Sequence, residues 1–346
     1  FNVDGSFGTI SAGRSLGLYQ RQAILKDMTL FGVGAGVTPD AGGTTTLGRI
    51  GYGYVYPEFR TRFAYKTPSI NGFQLEVGIF DPQESTPSNT GAVFVAPMSA
   101  FVTTMGTMTM MTNNMTPSFT AKGAYETDTP QFQAEATYNT SFQGGTLGIW
   151  AGGIWQDQEF NGRFGTDDDV THWGWNAGAD VGFGGFNVVG HYYDGEALGN
   201  MFKWVGGTGP GAVGINTSPG FSCINVNAGT ASPISSACNE ADNDGFYVQG
   251  TYTFGGKTKI GFSYGESNQD SELSAAPTNA LGETLSFNEV EHSMWTVGIY
   301  HDVTSWLKVV AEYNDAEQEC STPAGARCAL TDLEVDGFSV GGFLFY

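Results

Sequence analysis

Hydrophobicity in this chain alternates with a period of two, in segments of about ten residues, nearly from end to end. In 72–80, Phe73, Leu75, Val77 and Ile79 fall on one side, and Gln74, Glu76 and Gly78 on the other. In 131–142, Phe132, Ala134, Ala136 and Tyr138 oppose Gln133, Glu135, Thr137 and Asn139. In 171–183, Trp173, Trp175, Ala177, Ala179, Val181 and Phe183 oppose His172, Asn176 and Asp180. The pattern recurs in 246–254, 259–266 and 307–314. Successive side chains of a strand point to opposite faces, so each segment predicts a strand with one apolar and one polar face. About ten residues is also the length that crosses a bilayer at a tilt. A half-buried soluble sheet shares the period, and the connections separate the two.

Short links alternate with long ones. The short set is 67–71, 143–145, 184–185, 255–256 and 301–305; the long set is 20–58, 82–129, 159–170, 195–244, 267–287 and 318–330. Collecting all short turns at one end and all long loops at the other is the habit of an outer-membrane barrel. One strand between each pair of links gives twelve: 6–19, 59–66, 71–80, 130–142, 146–158, 171–183, 186–194, 245–254, 257–266, 290–300, 306–317 and 332–346. The expected fold is all-β, a single transmembrane antiparallel barrel over 1–346. The long loops 82–129, 195–244, 267–287 and 318–330 are expected to be extracellular.

Composition excludes the main alternatives. Lys and Arg number only 14 against 35 Asp and Glu, a net charge of −21, which leaves no basic footprint for nucleic acid. No apolar run reaches the roughly 18 residues of a spanning helix. Hydrophobic residues at 40% and aromatics at 14% are too many for a disordered chain. Charged residues at 14% are fewer than the roughly 25% of ordinary globular chains, as expected of a protein with an apolar outside. Four cysteines form two local pairs, Cys223 with Cys238 and Cys320 with Cys328, in polar Gly/Pro/Ser-rich stretches. Two loop disulfides and an oxidising compartment are expected. The sequence starts at Phe1 with no start Met or signal peptide, and reads as a processed chain or a fragment.

Two stretches carry a resemblance. In Phe338-Ser-Val-Gly-Gly-Phe-Leu-Phe-Tyr346, Phe338, Val340, Leu344 and Tyr346 share a face and the chain stops on an aromatic. This resembles the C-terminal signal of Gram-negative outer-membrane barrels. The stretch Gly5-Ser-Phe-Gly-Thr-Ile-Ser-Ala-Gly-Arg-Ser-Leu-Gly-Leu-Tyr19, followed by the insert 20–56, by Pro57-Glu58-Phe59 and by Arg60-Thr-Arg-Phe-Ala-Tyr-Lys-Thr-Pro68, resembles the strand entering the constriction loop of trimeric general porins. That family has sixteen strands, and this strand would be its fifth, so the resemblance implies a chain lacking the four N-terminal strands. It also implies that loop 20–58 folds inward as a constriction-type loop, and that the protein is a homotrimer in the outer membrane of a Gram-negative bacterium, with lipid and lipopolysaccharide as neighbours.

The strand 59–66 bears on selectivity. Arg60, Arg62 and Lys66 share a face with Ala64, opposite Phe59, Phe63 and Tyr65. A cation near the midplane on the lipid side costs about 2–4 kcal/mol, so the three are expected in the lumen, beside the constriction-type loop. Asp27, Asp40 and Glu58 are the expected acidic partners on that loop. The cations either set up a transverse field or pair with loop carboxylates as structure, and both can hold. Arg14 alternates with the outward Ile10, Ala12, Leu16 and Leu18; the resemblance places it at a trimer contact. Glu76, Glu135, Asp180, Glu312, Glu334 and Asp336 are expected in the lumen, and with the −21 they predict a modest cation preference.

Enzyme chemistry finds no support: no G-x-S-x-G elbow is present and the four histidines are scattered. No cofactor is expected. Asp167, Asp168 and Asp169 could hold Ca²⁺ through oxygen ligands, although solvated loop charge explains them as well. Met98, Met105, Met108, Met110, Met111 and Met115 could bind Cu(I) or simply pack. The expected function is passive diffusion of small hydrophilic solutes and ions. The alternatives are a substrate-selective channel for a sugar, anion or carboxylate, and a loop-plugged structural or adhesive barrel.

Overall fold

In the computed structural model the alternating segments join into one continuous antiparallel sheet. It describes residues 1–33, 52–82, 125–126, 129–160, 168–199, 221–225, 236–271, 289–321 and 332–345. The strands are β1 (Asn2–Gly5), β2 (Gly8–Leu16), β3 (Phe59–Lys66), β4 (Phe73–Phe80), β5 (Tyr125–Glu126), β6 (Gln131–Phe142), β7 (Gly145–Phe160), β8 (Asp168–Phe183), β9 (Phe186–Glu196), β10 (Phe221–Asn225), β11 (Ser236–Phe254), β12 (Thr258–Ser271), β13 (Glu289–Asp302), β14 (Leu307–Ser321) and β15 (Leu333–Leu344). Thirteen follow one another in chain order from β1 to β15, while β5 pairs with β7 and β10 with β11. All twelve expected strands are present; β1, hairpinned onto β2, and the short β5 and β10 are the additions. β1 and β15 are the edges of the sheet.

The short connections are tight hairpins. Gly184 and Gly185, between β8 and β9, both have positive φ, 56° and 90°. A two-residue hairpin turn of the type whose twist matches the flanking strands needs that conformation at both positions.

Register fixes the two faces. Phe63, Ile79, Phe132, Trp155 and Trp173 form one outward row across β3, β4, β6, β7 and β8. Lys66, Glu76 and Glu135 form an inward row across β3, β4 and β6. Burial is inverted relative to a soluble domain: Phe63 is 58% exposed and Val340 69%, whereas Glu76 is 6% and Glu312 1%. An apolar band of that extent around a sheet needs a hydrocarbon surround. No helix among the described residues is long and apolar enough to cross a membrane; here the strands span.

At the long-loop end the strands run further than the alternation predicts. β11 begins at Ser236, β12 continues to Ser271 and β14 to Ser321, so ladder occupies part of 195–244, 267–287 and 318–330. Here the outward side chains change from aromatic to acidic. Above Phe246, Tyr264, Trp295, Tyr313 and Phe338, the same face carries Asp242 and Asp244 on β11, and Glu266 and Asp270 on β12. It continues through Glu289 and Glu291 on β13, Asp315, Glu317 and Glu319 on β14, and Glu334 and Asp336 on β15. This corrects the expected lumenal placement of Glu334 and Asp336: two-residue steps put them on the face of Phe338. Much of the negative charge is therefore an outer belt at the rim.

Candidate functional site

The chain turns into the lumen after β2. Gln20 takes a left-handed φ of 61°, a six-residue helix α1 (Arg21–Lys26) follows, and a single 3-10 turn spans Met28–Phe31. The chain is described again from Tyr52, returning through Tyr54 and Val55 to β3. A helix this short is not stable alone in water, and α1 has no side-chain N-cap. The wall holds it. Gln133 Oε1 accepts from the N–H groups of Leu18 (2.7 Å) and Tyr19 (2.9 Å). Gln249 accepts from Met28 N–H at 2.8 Å and donates to the Lys26 carbonyl at 2.7 Å. Tyr247 donates to the Ala23 carbonyl, and Ser267 accepts from Gly53 N–H. At the far side, Glu312 accepts from Val33 N–H at 3.1 Å, and the Phe31 ring packs edge-on against Phe343. Lumen-facing amides and hydroxyls thus satisfy a backbone that has no ladder of its own.

Apolar contacts seat the segment as well. Ala23, Ile24 and Tyr54 cluster with Trp150, Val189 and Tyr247 of the wall; Tyr19 and Val55 cluster with Ile154 and Tyr193. The seating depends on a glycine. A Cβ on Gly265 would lie 2.0 Å from the Tyr52 carbonyl oxygen, closer than any real contact, so the loop backbone rests directly on β12.

Charge fastens the helix to the wall. Arg21 Nη2 stands 2.7 Å from Glu76 Oε2 and 2.5 Å from Glu135 Oε1, and Arg62 Nη2 lies 3.1 Å from Glu76 Oε1. At the other end of α1, Lys26 Nζ is 3.0 Å from Asp180. Burial works against the Arg21 charge, but Glu135 and Glu76 outweigh it and raise its pKa above the ordinary arginine value. Beside this network lies a recess of about 170 Å³ lined by Arg21, Lys26, Lys66, Glu76, Glu135 and Asp180, with Gln74, Thr137, Asn139 and Trp150.

The expected site residues divide. Arg60, Arg62 and Lys66 all lie on the lumen face, in register with Ser15, Gly13 and Thr9 of β2. Arg60 pairs with Glu58 at 3.4 Å and donates to the Asp81 carbonyl. Asp27 is buried in local structure: its carboxylate accepts from Thr29 N–H and from the Tyr54 hydroxyl, each at 2.8 Å. Asp40 lies outside the described residues. Arg14 is on the outer face opposite Thr61, exposed, with Nε donating to the Phe59 carbonyl at 3.2 Å. Leu18, expected outward, is buried under the inward segment, because β2 ends at Leu16. Cys223 and Cys238 stand opposite each other in the β10–β11 ladder, and Cys320 opposite Val290; Cys328 lies outside the described residues. So do Asp167 and the six clustered methionines, while Asp168 and Asp169 begin β8. No group of three or more His, Cys, Asp and Glu suited to a metal occurs among the described residues. His172, His191 and His292 are buried on the lumen face, and His301, on the outer face, contacts Thr258 at 2.8 Å.

Sequence reasoning missed Arg21 and Lys26. It placed carboxylates on the loop and cations on the wall, whereas α1 carries cations against the wall carboxylates Glu76, Glu135 and Asp180. The available signal was a short amphipathic stretch in which Ala23 and Ile24 lie between Arg21 and Lys26.

A family profile described as Gram-negative porin matches residues 1–320. No curated protein matches the chain. Among solved structures, the outer membrane channel DcaP of Acinetobacter baumannii is 13% identical with a TM-score of 0.52, over 97% of this chain and 71% of that one. OmpT of Vibrio cholerae is 15% identical with a TM-score of 0.48, over 100% and 79%. The anion-selective porin from Comamonas acidovorans is 11% identical with a TM-score of 0.49, over 99% and 76%. The likeness to DcaP is one of fold.

Proposed function

The chain belongs to the Gram-negative porin family and is an outer-membrane channel protein, and from that premise we propose that it passes small hydrophilic solutes and ions by passive diffusion. The observation that carries this reading is the inward segment, clamped by Arg21, Glu76 and Glu135 inside a sheet whose outer face is apolar. Such a segment narrows an aqueous lumen without catalysing anything. Among the described residues, lumen cations and carboxylates nearly balance, so selectivity arises mainly at the acidic rim, as a modest preference for cations. Planar-bilayer recording of the purified protein tests this. Stepwise channels with a reversal potential favouring K⁺ over Cl⁻ in dilute KCl support it, and the absence of conductance overturns it.

We further propose a homotrimer. Arg14 is an outward cation opposite Thr61 and flanked by the pairs Ala12–Phe63 and Leu16–Phe59, and a neighbouring subunit would spare it the cost of hydrocarbon. Lipid and lipopolysaccharide would border the remaining outer face. A cross-strand disulfide is proposed for Cys223 and Cys238. Their register sets the Cα atoms roughly 4.5–5.5 Å apart, as for any directly opposed antiparallel pair, within the span of a disulfide.

A further inference from the structure

We propose that Lys66, with Gln74, Thr137 and Asn139, forms a subsite in the recess beside α1 that holds an oxyanion, the carboxylate of a small solute or a free inorganic anion. The proposal rests on the channel reading, since the solute reaches the recess through the lumen.

The argument begins with charge. Lys66 lies directly opposite Glu76 in the β3–β4 ladder, yet both Glu76 oxygens are engaged elsewhere, Oε1 by Arg62 and Oε2 by Arg21. Glu135 Oε1 is taken by Arg21 and by Gln22 Nε2 at 3.1 Å, and Asp180 by Lys26. Four cations, Arg21, Lys26, Arg62 and Lys66, therefore face three carboxylates, Glu76, Glu135 and Asp180. Lys66 is the one left over, with no ion pair to any described residue.

The surroundings of Lys66 suit an oxyanion. Thr137 and Asn139 line the same recess and bring hydroxyl and amide N–H donors beside an ammonium, and Gln74, whose Nε2 gives one N–H to the Thr67 carbonyl at 3.5 Å, keeps the other. Charge-assisted hydrogen bonds to an ionised oxygen are about twice as strong as neutral ones. Trp150, also at the recess, is buried at 3% exposure and stacked on His191, so the lining recognises the charged oxygens of a solute and not its carbon chain. The volume of about 170 Å³ far exceeds the roughly 10–15 Å³ that one water needs on this measure, which leaves room for a carboxylate of a few carbons. The acidic rim opposes anion entry, so the subsite retains solutes that have entered and does not draw them in.

Equilibrium dialysis of the detergent-solubilised protein against labelled succinate tests this, with sulfate and butane-1,4-diol as competitors, alongside K⁺ conductance of the same preparation. Saturable succinate binding should weaken at least tenfold in Lys66→Gln, be largely retained in Lys66→Arg, be displaced by sulfate and resist the diol. Equal binding in the parent protein and Lys66→Gln, or displacement by the diol as strong as by sulfate, overturns the proposal. The dialysis result stands whatever the conductance, so a protein that binds succinate through Lys66 but carries no current refutes the channel and not the subsite. Loss of heat-modifiable migration in Lys66→Gln would mark a folding defect, in which case Lys66→Met and Lys66→Arg decide.

Discussion

Arg21, carried inward on a six-residue helix, closes on the wall carboxylate of Glu135 at 2.5 Å. With the bond from the same Nη2 to Glu76, this contact makes the inward segment a clamped strut. Removing one member of a buried charge network costs about 3–5 kcal/mol, because the partner is left uncompensated. Arg21 retains slight exposure, so Arg21→Ala should fall at or below the low end. The sheet should stay folded while the helix loosens, giving larger and noisier single-channel currents. Unchanged conductance and noise would show that the pair does not fix the passage.

Glu76 and Arg62 should act with opposite signs. Glu76→Gln leaves Arg21 and Arg62 without a shared carboxylate, so anions gain. Arg62→Gln frees one oxygen of Glu76, so cations gain, and adding Arg60→Gln enlarges that shift by removing a second cation from the lumen face. Reversal potentials in a tenfold KCl gradient read both directions. Shifts of the same sign in the two variants would contradict the lumenal geometry.

Gly265 should tolerate no side chain. Gly265→Val places a Cβ where the Tyr52 carbonyl lies, and the loop must lift away from β12. Conductance should rise and the 20–58 segment should become sensitive to added protease, with the β-sheet circular-dichroism signal retained. A protease-resistant loop in the variant would show that the seat is not at Gly265.

The acidic belt predicts a salt effect. Its charges lie at the rim, so their influence on entering ions is screened as the Debye length falls from about 10 Å at 0.1 M to about 3 Å at 1 M. Cation preference measured at 0.1 M KCl should therefore largely disappear at 1 M. A preference that persists at high salt would place its origin in the narrow lumen.

The strands and their faces were legible because hydrocarbon and water impose a two-residue period, as Phe73 to Ile79 shows on both sides of β4. The period fades where the outer face leaves the hydrocarbon. Asp242, Asp244, Glu289 and Glu291 continue the ladder without apolar partners to mark it, which is why the strands run longer than expected and why Glu334 and Asp336 were set on the wrong side. The lumenal place of Arg62 and Lys66 followed from the same rule. Their relation to Arg21 did not, because a helix tethered by Gln133, Gln249 and Tyr247 draws its stability from residues more than a hundred positions away. Glu76 and Glu135 were legible as inward residues. That they share one arginine is a matter of three-dimensional approach that no spacing encodes.

Side-specific labelling along β6 tests most directly whether the apolar face meets lipid and the polar face meets the channel water. In a background with the four native cysteines replaced by serine, single cysteines at Ala136, Thr137, Tyr138 and Asn139 would be exposed to a charged, membrane-impermeant thiol reagent during bilayer recording. The reagent should react with the cysteines at 137 and 139 and reduce the current, and leave those at 136 and 138 unmodified. Equal reaction at all four positions, or reaction at 136 and 138 alone, would contradict the account.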